Sequence, residues 1–258
     1  MTAIEKIKKQ QKHWADAHSI KYDEALRVLE LDDNFYQPFG GHTKREILKG
    51  AGAEVGQAGR RGKIFSLYSS AALVVNVFDH WRSKKDTATI ARLCGAESEM
   101  TEVEFEKQHR TPLGGTPPHL DLEFQGRDVA SFAVESKFTE PYSGKRRHRI
   151  EGPYVDAPDL WKRLPACGEL AKMNHTGAEE FFCLDAPQLL KHILGLTNAY
   201  GKEGFALLYL WYYLPGDEAQ EHRKEMDRFL KLLSGEVSFA YSAHVDHLFR
   251  LMPTTCSA

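Results

Sequence analysis

The chain reads as an α/β protein, and three observations predict it. An apolar, helix-compatible stretch runs from Phe65 to Trp81. Three strand-like segments follow, near Thr101 to Gln108, His119 to Gln125 and Val129 to Thr139. A second helical segment, about Ala186 to Tyr200, then leads into the run from Phe205 to Leu214, apolar enough for a central strand covered on both faces. The predicted succession is helix, three strands, helix, strand. It occupies a domain of residues 64–258, preceded by an N-terminal helical extension over residues 1–63.

Each element has its own signal. From Ile4 to about Glu30 the pattern is charged and helix-compatible, with a Lys-rich start that fits a solvated face. Gln37-Pro38-Phe39-Gly40-Gly41 interrupts it before a short helix around Thr43 to Val55. Gly52, Gly56, Gly59 and Gly62 lack the spacing of a phosphate loop and read as linker. In the Phe65–Trp81 helix Asn76 is the one misplaced amide, a residue for the site or a hydrogen-bonded core amide. Gly126-Arg127-Asp128 makes a tight hairpin of the second and third strands. After Pro141 a long polar loop opens with Lys145-Arg146-Arg147-His148-Arg149. Asp217 to Leu233 is a charged amphipathic helix, and Glu236 to Leu251 a strand pair or edge strand.

Composition narrows the classes. A chain of 258 residues with 42% hydrophobic content can bury a sizeable core. The net charge of -2 means that any hold on a polyanion must come from a local patch. Cys94, Cys167, Cys183 and Cys256 form no CxxC pair and are expected to be free thiols in a reducing compartment. Met1 to Lys12 lacks the apolar core of a secretory signal, and the Phe205–Leu214 run is too short to span a bilayer as a helix. A soluble, cytoplasmic protein without membrane attachment is expected.

The chemistry is sought in His119-Leu120-Asp121 and Glu135-Ser136-Lys137. Val129 to Val134 is apolar on both alternating faces apart from Ser131, yet the strand then continues into an acid and an amine. Glu135 and Lys137, two apart, point to one side, and His119, Asp121 and Glu123 share one face of the preceding strand. If the strands pair, Asp121 meets Glu135 and Lys137. Carboxylates crowded under low-dielectric cover favour a hard divalent cation between them; a structural ion pair with Lys137 is the alternative.

Asp121 followed by Glu135-Ser136-Lys137, within this order of elements, resembles the PD-(D/E)xK nuclease superfamily over roughly Phe65 to Leu214. The fold implied is the restriction-endonuclease-like core, a central mixed sheet flanked by helices in the order αβββαβ. Two departures stand out. Pro118 lies three residues ahead of Asp121, not directly before the acid, and the Gln-x-x-x-Tyr that some members carry on the following helix is here Gln188 with His192. The resemblance implies phosphodiester hydrolysis with magnesium, or manganese in its place, held by Asp121, Glu135 and the Ser136 carbonyl, with Lys137 as the catalytic amine. Gln188 is expected beside it, and Glu106 as a further acid, unless Glu102, Glu104 and Glu106 are only the solvated face of an outer strand. Lys145, Arg146, Arg147 and Arg149, with His192, are the expected nucleic-acid contacts; a solvated loop and a core histidine are the alternatives.

The expected function is a DNA endonuclease of restriction, repair or defence type, RNA and a homodimer being left open. An inactive nucleic-acid-binding or protein-interaction module on the same scaffold is the competing reading. A zinc enzyme would rest on His244 and His247 around Asp246, a spacing that is not convincing for zinc.

Overall fold

The computed structural model describes residues 1–37, 40–49, 56–57, 60–93, 100–126, 131–144, 148–157 and 159–242. Helix α1 (Ala3–Ala17) opens on a capping box in which Thr2 and Glu5 satisfy each other's backbone N–H groups. It ends well before Glu30. Ser19 takes a left-handed φ of 57°, and the segment after it folds back through isolated bridges, Tyr22 to Val28 and Arg27 to Ser66. Charged composition predicts a helix there but cannot register that turn. Helix α2 (Gly41–Lys49) and the two-residue ladder of β1 (Gly56–Gln57) with β2 (Arg60–Arg61) come next. Helix α3 (Ser70–Ser83) starts later than expected, because Lys63–Phe65 is a 3-10 turn and Ser69 is the N-cap, accepting from Ala72 N–H.

The remaining elements are α4 (Thr87–Leu93), β3 (Met100–Gln108), β4 (His119–Gly126), β5 (Ser131–Lys137), α5 (Pro153–Asp156), α6 (Pro165–Thr176), α7 (Ala186–Tyr200), β6 (Phe205–Trp211), α8 (Asp217–Leu233) and β7 (Ser238–Ser242). The five-stranded sheet has the order β3-β4-β5-β6-β7. β3, β4 and β5 pair antiparallel, while β6 and β7 run parallel to β5. This is the α/β layout predicted; among the described residues β7 ends the sheet, and residues 243–251 of the expected strand pair or edge strand lie outside them. Helices α5 and α6 stand where an unbroken polar loop was expected. The N-cap of α6, Leu164, offers no side-chain cap, and its buried stripe of Cys167, Gly168, Leu170, Ala171 and Asn174 carries only one large apolar side chain. Pro165 in its first turn and Gly177 just past its end, at φ 81°, were its sequence marks.

Sheet alternation divides the strands cleanly. Leu120, Leu122 and Phe124 of β4, with Phe132 and Val134 of β5, are buried, and Phe78 of α3 packs edge-on against Phe124 with ring centroids 5.7 Å apart. The alternate residues, Asp121 and Glu123 of β4 and Glu135 and Lys137 of β5, belong to the face covered by α7, whose Tyr200 hydroxyl donates to Glu123 at 2.5 Å. His109 holds the other oxygen of Glu123, also at 2.5 Å. Gly195 lets α7 approach this closely, since a Cβ there would stand 2.6 Å from the His109 carbonyl oxygen. Ala3, Ile7, Phe35, Ile47 and Ile64 belong to the same apolar cluster as the strands.

The loop into α7 is tied down by a charge. Glu225 of α8, buried, accepts N–H bonds from Phe182, Cys183 and Leu184, each at 2.8 Å. Asp185 then caps α7 through Gln188 N–H at 3.1 Å. Glu225→Ala would leave those donors without an acceptor and is expected to cost about 3 kcal/mol; a urea-unfolding midpoint equal to that of the wild type would contradict this.

Candidate active site

The β4–β5 ladder pairs Phe124 with Phe132, Glu123 with Ala133 and Leu122 with Val134, and stops there. β5 nevertheless continues its parallel ladder with β6 through Lys137 opposite Trp211. Where the antiparallel pairing lapses, Oδ2 of Asp121 accepts the backbone N–H of Ser136 at 2.6 Å, in place of a strand carbonyl. The sheet therefore opens at the point where the charged residues begin. On the other side of β4, the ladder with β3 passes from Phe105–Leu122 to Lys107–Leu120. Glu106, bracketed by those pairs and so opposite Asp121, has a φ of 54°. Such a left-handed residue within a strand costs of order 1–3 kcal/mol, a cost found most often at functional sites.

Glu106, Asp121, Glu135, Lys137 and Gln188 line one cavity of about 460 Å³, together with His119 and with Glu140 from the turn after β5. Lys137 Nζ donates to Oε1 of Glu135 at 2.5 Å. The other oxygen, Oε2, lies 3.1 Å from Nε2 of His192, at ion-pairing distance but outside hydrogen-bond alignment. Nδ1 of His119 stands 3.4 Å from Oε2 of Glu106.

The two central acids feel opposite fields. Burial pushes the Asp121 carboxyl well up, and the neighbouring charge of Glu135 pushes it further, against Lys137. Burial also works against ionised Glu135, but Lys137 and then His192 outweigh it and hold that carboxyl at about 2. Desolvation likewise opposes the ammonium of Lys137, yet Glu135, Asp121 and Glu140 prevail and keep it protonated above its ordinary range. The site thus contains an ionised glutamate, a lysine held as a cation and an aspartate whose charge is poorly compensated.

His192 is buried behind Glu135. Arg149 is not part of this cavity; its guanidinium binds Glu180 at 2.9 Å and the Thr176 carbonyl at the end of α6 at 3.4 Å. Lys145, Arg146 and Arg147 lie outside the described residues, as do His244, Asp246 and His247. The structure instead brings Arg27 and Lys63 to the cavity wall. Lys8 approaches the ring of Tyr68 on that wall, 4.6 Å from its centroid. These cations, remote in sequence from the acids, were missed because no local spacing links them. The Arg27–Ser66 bridge, with the Val28–Phe65 and Leu67–Leu26 backbone hydrogen bonds at 2.9 Å beside it, seats the segment ahead of α3.

A family model described as Restriction Endonuclease associating with ARP matches residues 48–233. The chain belongs to that family. No curated protein and no solved structure matches the chain. The span attributed to this restriction-endonuclease family runs from α2 to the end of α8 and includes every residue of the acidic cluster. Among the described residues, no helix is long and apolar enough to cross a membrane.

The field on Asp121 has a measurable consequence. An unfolded aspartate ionises near 3.8, whereas the native carboxyl keeps its proton to higher pH. Between those values the native state binds more protons than the unfolded state, so this group's contribution to stability falls as pH rises. Asp121→Asn removes that penalty and retains an oxygen for Ser136 N–H. The variant is expected to be more stable than the wild type by about 1 kcal/mol near neutral pH, with the gap closing as pH approaches the unfolded value. Urea unfolding across that range measures it; a variant less stable at neutral pH contradicts it.

Proposed function

We propose that the protein is a metal-dependent nuclease of the PD-(D/E)xK type that hydrolyses phosphodiester bonds of DNA. The observation carrying this reading is the meeting of Asp121, Glu135 and Lys137 at the opened end of the sheet. Among the described residues no group of three or more His, Cys, Asp or Glu side chains is arranged to hold a metal ion. The donor set still fits magnesium, which is typically held by one or two carboxylates while water and substrate phosphate complete its shell. Oε2 of Glu135, buried and without a hydrogen bond among the described residues, and the unfavourable charge on Asp121 both favour a cation shared by the pair. Asp121, Glu135 and the Ser136 carbonyl would hold magnesium, or manganese in its place. Bound there, such an ion neutralises charge on the phosphate and lowers the pKa of water.

The protein's own groups supply the rest. Lys137, held protonated, cannot take a proton from water; it orients the nucleophile and offsets negative charge growing on the phosphate. Gln188, with both donor and acceptor, positions that water from the cavity wall, and Glu106 is a further acid beside Asp121. His192 is a positioning residue that fixes the carboxylate of Glu135. Arg27 and Lys63 grip flanking phosphates, so a chain with no basic excess can still retain a polyanion. The association with ARP that the family description names adds a partner component to this reading.

Purified protein with magnesium should cut plasmid or linear DNA, and chelation should stop it. Glu135→Ala and Lys137→Ala should each lower the cutting rate by at least about 100-fold while leaving the circular-dichroism spectrum native. Magnesium should also raise the melting temperature of the wild type but not of Asp121→Asn. Full activity in both alanine variants would sink the assignment.

A further inference from the structure

Beside the acidic cavity lies a second one of about 390 Å³ with a different lining: the rings of Trp14, Tyr36 and Tyr212, and the side-chain amides of Gln10, Gln11 and Asn76. The two cavities share Ser69. Their common wall is built from alternating residues. Ser66, Tyr68 and Ser70 face the acidic cavity while Leu67 lines the second; Lys137 and Thr139 face the acidic cavity while Phe138 between them lines the second. The two cavities therefore lie on either side of one wall and adjoin at Ser69, which lines both.

Trp14 and Tyr36 are large apolar side chains left 36% and 42% exposed, unlike the fully covered rings of the core. On α1, Gln10 and Gln11 precede Trp14 by four and three residues, on one helical face with buried Ile7. His18 stacks against the Trp14 indole at 4.9 Å, bracing it. Asn76 is already engaged, accepting from Tyr36 N–H at 2.6 Å and donating to the Asn34 carbonyl at 2.9 Å, and so fixes the segment that carries the Tyr36 ring. Exposed rings beside amides match what a nucleobase requires: a flat face to stack on, and groups able both to donate to and to accept from its edge. The size lies within the range of small-ligand pockets.

We infer that this compartment receives one unstacked nucleobase of the strand whose phosphate occupies the acidic cavity, stacked on Trp14 and Tyr36 and read by Gln10 and Gln11. The inference rests on the nuclease reading and deepens it, because it names the part of the substrate that the N-terminal helix recognises. Extruding a base costs least where it is unpaired. Single-stranded DNA, or a duplex with one mismatch, is therefore bound in preference to a matched duplex.

The test uses the full chain in chelator, where cutting is off, with fluorescein-labelled DNA decamers that are single-stranded, matched or singly mismatched. Trp14→Ala should weaken binding of the single-stranded and mismatched decamers about tenfold and bind the matched duplex as the wild type does. Trp14→Phe, which keeps a stacking face, should restore most of the loss. Gln11→Ala should alter the ranking of homopolymer decamers without abolishing binding. Unchanged binding of all three DNAs by Trp14→Ala overturns the base pocket, and so does an equal loss on all three. A shift in oligomeric state on sedimentation, with DNA binding unaltered, would assign the patch to a second copy of the chain and also overturn it. Failure of the nuclease reading is separately visible as absence of cutting by the wild type in magnesium.

Discussion

The structure depends on one electrostatic arrangement: Lys137 kept charged between Glu135 and Asp121 at the end of the central strand. Glu135 is buried and Asp121 and Lys137 are half-buried, and none would be stable there alone, since a poorly compensated charge withdrawn from water is costly. The strand has to bring the amine and one acid to the same side, which the two-residue spacing of Glu135 and Lys137 does. The neighbouring strand has to stop pairing so that a second acid can enter, which it does after Leu122 and Val134. The Asp121 carboxylate then takes over the hydrogen bond that the ladder relinquishes. Stability and chemistry thus compete at one point. The residue whose charge is least well tolerated is the one that a cation would satisfy best.

Much of the surrounding fold serves to hold that point. Helix α7 carries His192 behind Glu135 and Gln188 onto the cavity wall. The depth of α7 is set at one end by Gly195 against His109 and by Tyr200 on Glu123, and at the other by the loop that Glu225 gathers. These are long-range tethers between charged or polar groups, each buried and each satisfied, and a packed apolar layer alone would not specify them. The opposite face of the sheet has no such demand and is filled by aromatic and aliphatic contacts with α3.

The sheet and the acidic pair were legible in the sequence because both follow from local periodicity. Alternation marked β3 and β4, apolar runs on both faces marked β5 and β6, and the interruption of β5 by Glu135 and Lys137 stood out against its run. Two things were not legible. Helix α6 hides its amphipathicity because its buried stripe, Cys167, Gly168, Leu170, Ala171 and Asn174, is built mostly of small or polar residues. The contribution of the N-terminal segment was obscured for a different reason. Arg27 and Lys63 reach the cavity through a fold-back in which Val28 N–H donates to the Phe65 carbonyl and Leu67 N–H to the Leu26 carbonyl, each at 2.9 Å, a tertiary event with no periodic trace. The basic run from Lys145 onward was the more conspicuous positive signal, yet Arg149 at its end is spent on Glu180 and the carboxyl end of α6.

The N-terminal segment also explains how a chain with a net charge of -2 can face a polyanion. Glu106, Asp121, Glu135 and Glu140 line the cavity, and only Lys137 among the strand residues opposes them. A phosphate approaching the sheet alone would meet a negative field. Arg27 and Lys63 arrive from outside the sheet and add positive charge to the cavity wall, close enough for surface charges to act. The acids are concentrated on the strands and the turn after β5, while these two cations sit on a separate piece of chain, the division that the nuclease reading proposed above would call for. Placing both sets on neighbouring strands would let them pair off and cancel, as Lys107 does with Glu104 on β3 at 2.5 Å. Separation by chain segment places the two sets on different elements of the same cavity wall.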